Sequence, residues 1–259
     1  MCDLRPVLTG HTILGVEVHW EGAIAVPSPA EFRCLLPGQR IEGVERRGKF
    51  VVLRLSGYDL LIHLRMTGQL LVVAPGEHCG PRHLRVALAL SGKRLLFNDT
   101  RKFGRMYLVR DRCQVLGSLG PEPLASDFTP ERLGEQLGGR RVPIKSLLLN
   151  QRLLAGVGNI YADETLHIAG IAPQRQACTL NREEIVALHS GLREALQRAI
   201  HNRGTTLSDY RDAQGREGGH REHLRVYGRA GQPCLRCGAP IQRDRIGGRS
   251  SYYCAACQR

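Results

Sequence analysis

Gly156-Val157-Gly158-Asn159-Ile160-Tyr161-Ala162-Asp163-Glu164 lies between two apolar, helix-like segments, residues 143–150 and 160–169. Glycines just before a helix start leave backbone N–H groups open to an anion, and Asn159 adds a side-chain donor at the same place. The stretch therefore predicts a turn that meets a phosphate. A Gly-x-Gly-Asn turn between helices is common, so its meaning depends on its surroundings.

Downstream, Gly170 closes the second segment, and Asn181 opens a longer helix with Ile185, Leu188, Leu192, Ala195 and Ala199 at helical spacing. Upstream, Thr129-Pro130-Glu131 is a helix start, a capping hydroxyl followed by proline at the first helical position. Before that the character is different. Segments 12–20, 44–55, 60–66, 84–90, 94–97 and 106–109 alternate or are rich in β-branched residues, with Gly57 and Gly92 at turns. Closely spaced short strands predict an antiparallel β-sandwich or barrel. The chain reads as an α+β multidomain protein: a β-sandwich over 1–115, a helical domain over 121–215, and a small Cys-bearing unit over 225–259.

That last unit holds Cys234-x2-Cys237 and Cys254-x2-Cys257, separated by sixteen residues. Each pair places two thiolates on one turn, and two such turns close a tetrahedron around one Zn²⁺. Four thiolates leave no position for water, so the metal is structural, and a unit this small needs it to fold. Gly238-Ala239-Pro240 and Ser251-Tyr252-Tyr253 fit a zinc-ribbon β-hairpin, with Arg243, Arg245 and Arg249 as a cationic strip upon it. The other five cysteines (Cys2, Cys34, Cys79, Cys113, Cys178) are scattered singly and read as small packing or surface residues.

Lys and Arg number 37 against 24 Asp and Glu, a formal charge of +13. A balance this basic fits a polyanionic partner, because neutralised phosphates release counterions, although a merely basic soluble protein looks the same by charge alone. No apolar run reaches transmembrane length, and the first residues lack the apolar core of a signal peptide. The expected setting is the cytoplasm or the nucleoid, with no membrane partner.

In this context the 156–164 segment resembles the helix–two-turn–helix motif of the formamidopyrimidine-DNA glycosylase and endonuclease VIII family. The likeness runs from about residue 8 to Arg259. Arg46-Arg47-Gly48-Lys49-Phe50 resembles the family's β-strand lysine, and His63-Leu64-Arg65-Met66-Thr67-Gly68 its His-Leu-x-Met-Ser/Thr-Gly strand. Asn98-Asp99-Thr100-Arg101-Lys102-Phe103-Gly104 resembles its Asp-Pro-Arg-Arg/Lys-Phe-Gly loop. Leu119-Gly120-Pro121-Glu122-Pro123-Leu124 matches its linker, and Val226-Tyr227-Gly228-Arg229-Ala230-Gly231-Gln232-Pro233-Cys234 its approach to the zinc finger.

The resemblance implies a bifunctional glycosylase and AP lyase for base-excision repair. Such an enzyme flips an oxidised purine (8-oxoguanine or a formamidopyrimidine) out of duplex DNA, cuts its glycosidic bond and nicks the strand. Met66, Arg101 and Phe103 match the trio inserted into the vacated stack; the competing reading for Met66 and Phe103 is ordinary core. Lys49, His63, Asn159, Tyr227 and Arg249 match phosphate contacts around the flipped nucleotide, and Lys49 and Arg249 also match groups linked to proton transfer during cleavage. His83 and Arg140 fall where further DNA-backbone contacts are expected. Glu164 matches a carboxylate that orders the site. The 208–223 stretch resembles the loop over the extruded purine, with His220 where the family has an aromatic. The implied partner is lesion-containing or abasic double-stranded DNA, bound by a monomer between the two larger domains.

The family attacks the sugar C1′ with the secondary amine of a mature N-terminal proline, beside a glutamate. This sequence opens Met1-Cys2-Asp3-Leu4-Arg5-Pro6, and the likeness begins inside the family's first helix, so neither Pro6 nor Asp3 takes those roles by position. Two readings stand. One is a start placed downstream of the true one, favoured because the downstream matching residues are present. The other is a non-catalytic binder of damaged DNA. A polypeptide of these 259 residues is expected to bind abasic duplex without forming a borohydride-trappable adduct. A zinc-ribbon module for RNA is disfavoured by the Met66/Arg101/Phe103 trio and the 156–159 turn.

Overall fold

The computed structural model describes residues 4–75, 82–206 and 215–259. Met1, Cys2, Asp3, Cys79 and residues 208–214 of the loop named above lie outside the described residues. The chain forms two compact units, one up to Ser118 with the described part of 205–218, the other residues 119–204 with 219–259.

In the first unit the order is α1 (Arg5–Leu8), β1 (Ile13–Val18), β2 (Ile24–Val26), α2 (Pro29–Leu35), β3 (Ile41–Arg47), β4 (Phe50–Leu55), β5 (Asp59–His63), β6 (Gly68–Val73), β7 (Leu84–Leu90), β8 (Lys93–Asp99), β9 (Arg105–Val109) and α3 (Cys113–Leu116). Two sheets form, β1-β7-β8-β6 and β2-β9-β5-β4-β3. Ile13, Phe32, Leu53, Ile62, Leu88 and Phe97 are buried in one core shared by both, which makes the pair a sandwich. The pairing is antiparallel except for β2 against β9, which is parallel.

Three readings are corrected here. The strand expected over 44–55 is two strands, β3 and β4, because Gly48 at φ +57° turns the chain. Lys49 consequently sits at a hairpin turn, not within a strand. The strand expected over 60–66 stops at His63. Residues 64–67 form a turn in which the Gly68 amide donates to the Leu64 carbonyl (2.9 Å) and Arg65 takes φ +54°. Finally, α2 was missed although its signal is local: Ser28 and Glu31 exchange hydrogen bonds as a capping box, with Pro29 in the first turn.

The second unit contains α4 (Pro130–Leu137), α5 (Ile144–Leu148), α6 (Asn159–Ala169), α7 (Arg182–His201), β10 (Gln242–Ile246) and β11 (Arg249–Tyr253). The caps read from sequence are present. Thr129 accepts the Arg132 amide, Asn181 and Glu184 form a capping box, and Gly170 ends α6 in the left-handed conformation. Leu133, Ile144, Leu148, Leu166, Leu188 and Leu192 form the helical core. The hairpin β10–β11 has only a small one, Val226, Ile241, Cys234 and Cys254. Among the described residues no helix is long and apolar enough to cross a membrane.

Candidate nucleic-acid interface and metal centre

Three side chains of the β-sandwich stand together on its surface. Met66 is 66% exposed and Phe103 46% exposed. Arg101 lies between them, donating to the Met66 sulfur at 3.4 Å with its guanidinium 5.0 Å from the centre of the Phe103 ring. A thioether and an aromatic ring this exposed, each in contact with the cation between them, are not packing a core.

The loop carrying Arg101 and Phe103 is fixed from below by Asp99, a fully buried carboxylate. It accepts from the Thr67 hydroxyl, from the Arg101 amide (3.3 Å) and from the Gly104 amide (2.6 Å). Gly104 is required there, because a Cβ would lie 2.4 Å from the Phe97 ring. The His83 carbonyl accepts the Asp99 amide at 3.0 Å, so half-buried His83 braces the same loop through its backbone.

Lys49 occupies the β3–β4 turn, and His63 ends β5 directly opposite Phe50. The His63 ring meets the Phe50 ring edge-on at 4.7 Å, and its Nδ1 accepts the Arg65 amide at 3.1 Å. Burial, then the nearby charges of Arg65 and Lys49, push its pKa down to about 4. A neutral ring with Nδ1 occupied carries its proton on Nε2, as a donor. The unfolded chain takes up a proton near 6.5 and the folded ring only near 4. This group's contribution to stability therefore falls as the pH drops through that window. A nitrogen-15 NMR titration is expected to show the His63 ring neutral at pH 5.5; titration near 6.5 would show that its burial is without effect.

In the helical unit, Asn159 is the first residue of α6, behind Gly158 at the cap. One N–H of its amide donates to the Ser250 carbonyl at 2.9 Å, so the side chain expected to serve a phosphate also ties α6 to the hairpin. Glu164 turns its carboxylate to three successive amides, Arg225 (2.8 Å), Val226 (2.9 Å) and Tyr227 (2.9 Å), which orders that stretch. The Tyr227 ring rests 5.0 Å from Tyr252 of the hairpin. Arg140 follows α4, exposed, with its Nε on the Gln136 carbonyl at 2.8 Å.

The arginines of the hairpin do not form one strip. Opposed residues of an antiparallel pair share a face, and faces alternate along each strand. Arg243 pairs with Tyr252 and Arg245 with Ser250, whereas Arg249 pairs with Ile246 beside the Gly247-Gly248 tip. Arg249 thus shares its face with buried Ser251, and Arg243 and Arg245 occupy the other.

Cys234, Cys237, Cys254 and Cys257 bring their sulfurs within 4.8 Å of one another. The Cys237–Cys254 and Cys234–Cys257 separations are 3.5 and 3.9 Å, close to the edge of about 3.8 Å that a tetrahedral zinc–thiolate bond length requires. The donor set fits one zinc ion with no open position. Buried His167 on α6 lies 3.5 Å from the Cys234 sulfur through Nε2, an outer partner for that thiolate.

Sequence reasoning missed the groups that bolt the hairpin down. Lys145 on α5 is fully buried, with its Nζ 2.6 Å from Asp163, 2.8 Å from the Ser250 carbonyl and 2.8 Å from the Ser251 hydroxyl. Asp163 also accepts the Tyr252 amide at 3.0 Å. Burial lowers the Lys145 pKa and raises that of Asp163 to about 6, each working against the partner's charge. The available signal was a lone lysine within the apolar run Ile144-Lys145-Ser146-Leu147-Leu148. His220, at the end of the stretch expected to form a loop over the base, is buried. Its Nδ1 meets the Asn202 amide at 3.0 Å, and its ring lies 6.3 Å from Tyr161, because backbone bonds from 219 and 220 to Asn202 and Gly204 pull it inward.

Residues 1–106 match the formamidopyrimidine-DNA glycosylase N-terminal domain, residues 119–211 the formamidopyrimidine-DNA glycosylase H2TH domain, and residues 231–259 the zinc finger found in FPG and IleRS. The formamidopyrimidine-DNA glycosylase of Chloroflexus aurantiacus is 50% identical over 263 aligned residues, covering 99% of this chain and 93% of the relative. That of Moorella thermoacetica is 48% identical over 248, covering 93% and 90%. Among solved structures, the Thermus thermophilus MutM (Fpg) protein superposes with a TM-score of 0.89 at 41% identity, covering 99% of this chain and 95% of that one. Lactococcus lactis Fpg in complex with DNA containing an abasic site superposes at 0.93 and 32% identity, covering 100% and 96%.

Proposed function

This chain belongs to the formamidopyrimidine-DNA glycosylase family, and from that membership we propose that it removes oxidised purines from duplex DNA and cleaves the strand at the resulting abasic site. The observation that carries this reading is the exposed contact of Met66, Arg101 and Phe103. Extruding a base leaves a hole in the stack, and these three side chains supply the apolar bulk, the ring and the hydrogen-bonding cation to fill it.

The remaining residues divide by position. Lys49 and His63 on the sandwich serve phosphates near the extruded nucleotide, Lys49 as a cation and His63 as a neutral donor, with His83 a further DNA-backbone contact from the same unit. Asn159, Tyr227 and Arg249 serve phosphates from the second unit, Asn159 and Tyr227 held by their contacts with Ser250 and Tyr252 of the hairpin, and Arg140 extends the contact along the backbone. Lys49 and Arg249 are the groups assigned to proton transfer during strand cleavage. The working form is a monomer in the bacterial cytoplasm, built as a sandwich (1–115), a helical domain (121–215, of which the described residues from Thr205 onward group with the sandwich unit) and a zinc finger (225–259).

The test compares this polypeptide's affinity for undamaged duplex with that for duplex carrying 8-oxoguanine or a stable abasic analogue, at several salt concentrations. A steep salt dependence is expected, because several phosphates are neutralised together. Phe103→Ala is expected to reduce the preference for damage by roughly tenfold, the scale of one lost aromatic–base stack, with little change on undamaged DNA. An unchanged preference in Phe103→Ala would return that residue to a packing role. Excision is assayed on the gene product as its own host makes it; tight binding without excision there would identify a damage-binding protein in place of an enzyme.

A further inference from the structure

The wedge loop contains a backbone conformation that needs support. Lys102, between Arg101 and Phe103, takes φ +61°, a left-handed position that is strained for a residue bearing a side chain. The turn it makes lets Arg101 fold back over Phe103. Its support comes from the only tryptophan in the chain. The Lys102 ammonium lies 5.7 Å from the centre of the Trp20 ring, and the Arg105 guanidinium 5.2 Å from it. Arg105 Nη1 also donates to the Lys102 carbonyl (3.0 Å) and the Gly104 carbonyl (2.8 Å), so one cation holds the ring and the strained backbone together. Trp20 is itself fixed: its amide donates to the Arg85 carbonyl at 3.2 Å, and a Cβ on Gly22 would lie 2.4 Å from its ring. Arg85 in turn reaches the Asp99 carbonyl through Nε at 2.8 Å.

We propose that Trp20 is a positioning residue for damage recognition: its ring, gripped by Lys102 and Arg105, holds the 99–104 loop in the turn that presents Arg101 and Phe103. Trp20 acts through the cations beside it, Lys102 and Arg105. The role rests on the proposed function, since a wedge matters only if a base is extruded. Two cation–π contacts to one indole ring are the binding force, and they depend on a π system, not on bulk.

The test uses Trp20→Leu and Trp20→Phe in the full chain. Both keep an apolar side chain, and only phenylalanine keeps a π face. The first readout needs no DNA: chymotrypsin cleavage after Phe103 in the free protein. Trp20→Leu is expected to speed this cut about fivefold or more, while Trp20→Phe stays nearer the parent, as loss of two cation–π contacts predicts. The second is the affinity ratio for abasic over undamaged duplex, expected to fall by a similar factor in Trp20→Leu and to recover in Trp20→Phe. Equal cleavage rates for the parent and Trp20→Leu, or identical behaviour of Leu and Phe, overturn the proposal. A parent protein that shows no preference for damage overturns the proposed function instead, and the cleavage measurement still decides what Trp20 does to the loop.

Discussion

A Cys237→Ser variant is expected to lose its zinc and, with it, most of its affinity for DNA. Structural zinc contributes on the order of 10–16 kcal/mol in isolated finger peptides, far more than the four buried residues Val226, Ile241, Cys234 and Cys254 can supply. Removing one thiolate from a set whose sulfurs already stand near tetrahedral edge distances opens the site to water and unfolds the hairpin. Arg249 and Tyr252 then leave their positions, and the Ser250 carbonyl withdraws from both Asn159 and Lys145. The loss therefore extends into the helical unit. Metal content by atomic emission and DNA binding by fluorescence anisotropy check this together. Full affinity in a metal-free preparation would mean that the hairpin holds its shape without the ion.

The second large effect is expected at Lys145→Met. The substitution keeps the length and apolar stem of the side chain but leaves the Asp163 carboxylate buried opposite no cation, with the Tyr252 amide still donating to it. Breaking one half of a buried ion pair costs about 3–5 kcal/mol. The pH dependence identifies the cause. Burial already holds the Asp163 carboxyl up at about 6, and without Lys145 it rises further, so the group is neutral in the variant at mildly acidic pH. The deficit measured by denaturant unfolding should therefore be largest near pH 8 and shrink toward pH 5. A Lys145→Met, Asp163→Leu double variant should recover part of the deficit, because no unpaired charge remains buried, while the Tyr252 amide and the Ser250 and Ser251 oxygens still lose their partners. A deficit below about 1 kcal/mol at pH 8 would place the pair outside the energetics of the fold, below even an ordinary buried hydrogen-bond loss.

Both predictions concern the attachment of the zinc hairpin to α6, and that attachment was hidden in the sequence. Asn159 and Ser250 are 91 residues apart, Lys145 and Ser250 105. No spacing rule connects such positions. The split of the hairpin arginines was hidden differently: Arg243, Arg245 and Arg249 read as one cluster by proximity, but the strand register sends Arg249 to the other face. Lys49 moved from a strand to a turn because one glycine at φ +57° outweighed the β-branched run around it.

The sequence by itself determined the features whose causes lie within a few residues. The caps at Thr129 and Asn181, the stop at Gly170, the cysteine pairs and the alternation of the sandwich strands are all such features, because helix ends, metal knuckles and pleats are closed by bonds between near neighbours. The tertiary structure alone decided which distant groups meet: Trp20 with Lys102, Glu164 with the 225–227 amides, and Lys145 with Asp163 and the hairpin. Their energies depend on being buried or held at a few ångströms, and those conditions exist only once the backbone has closed around them.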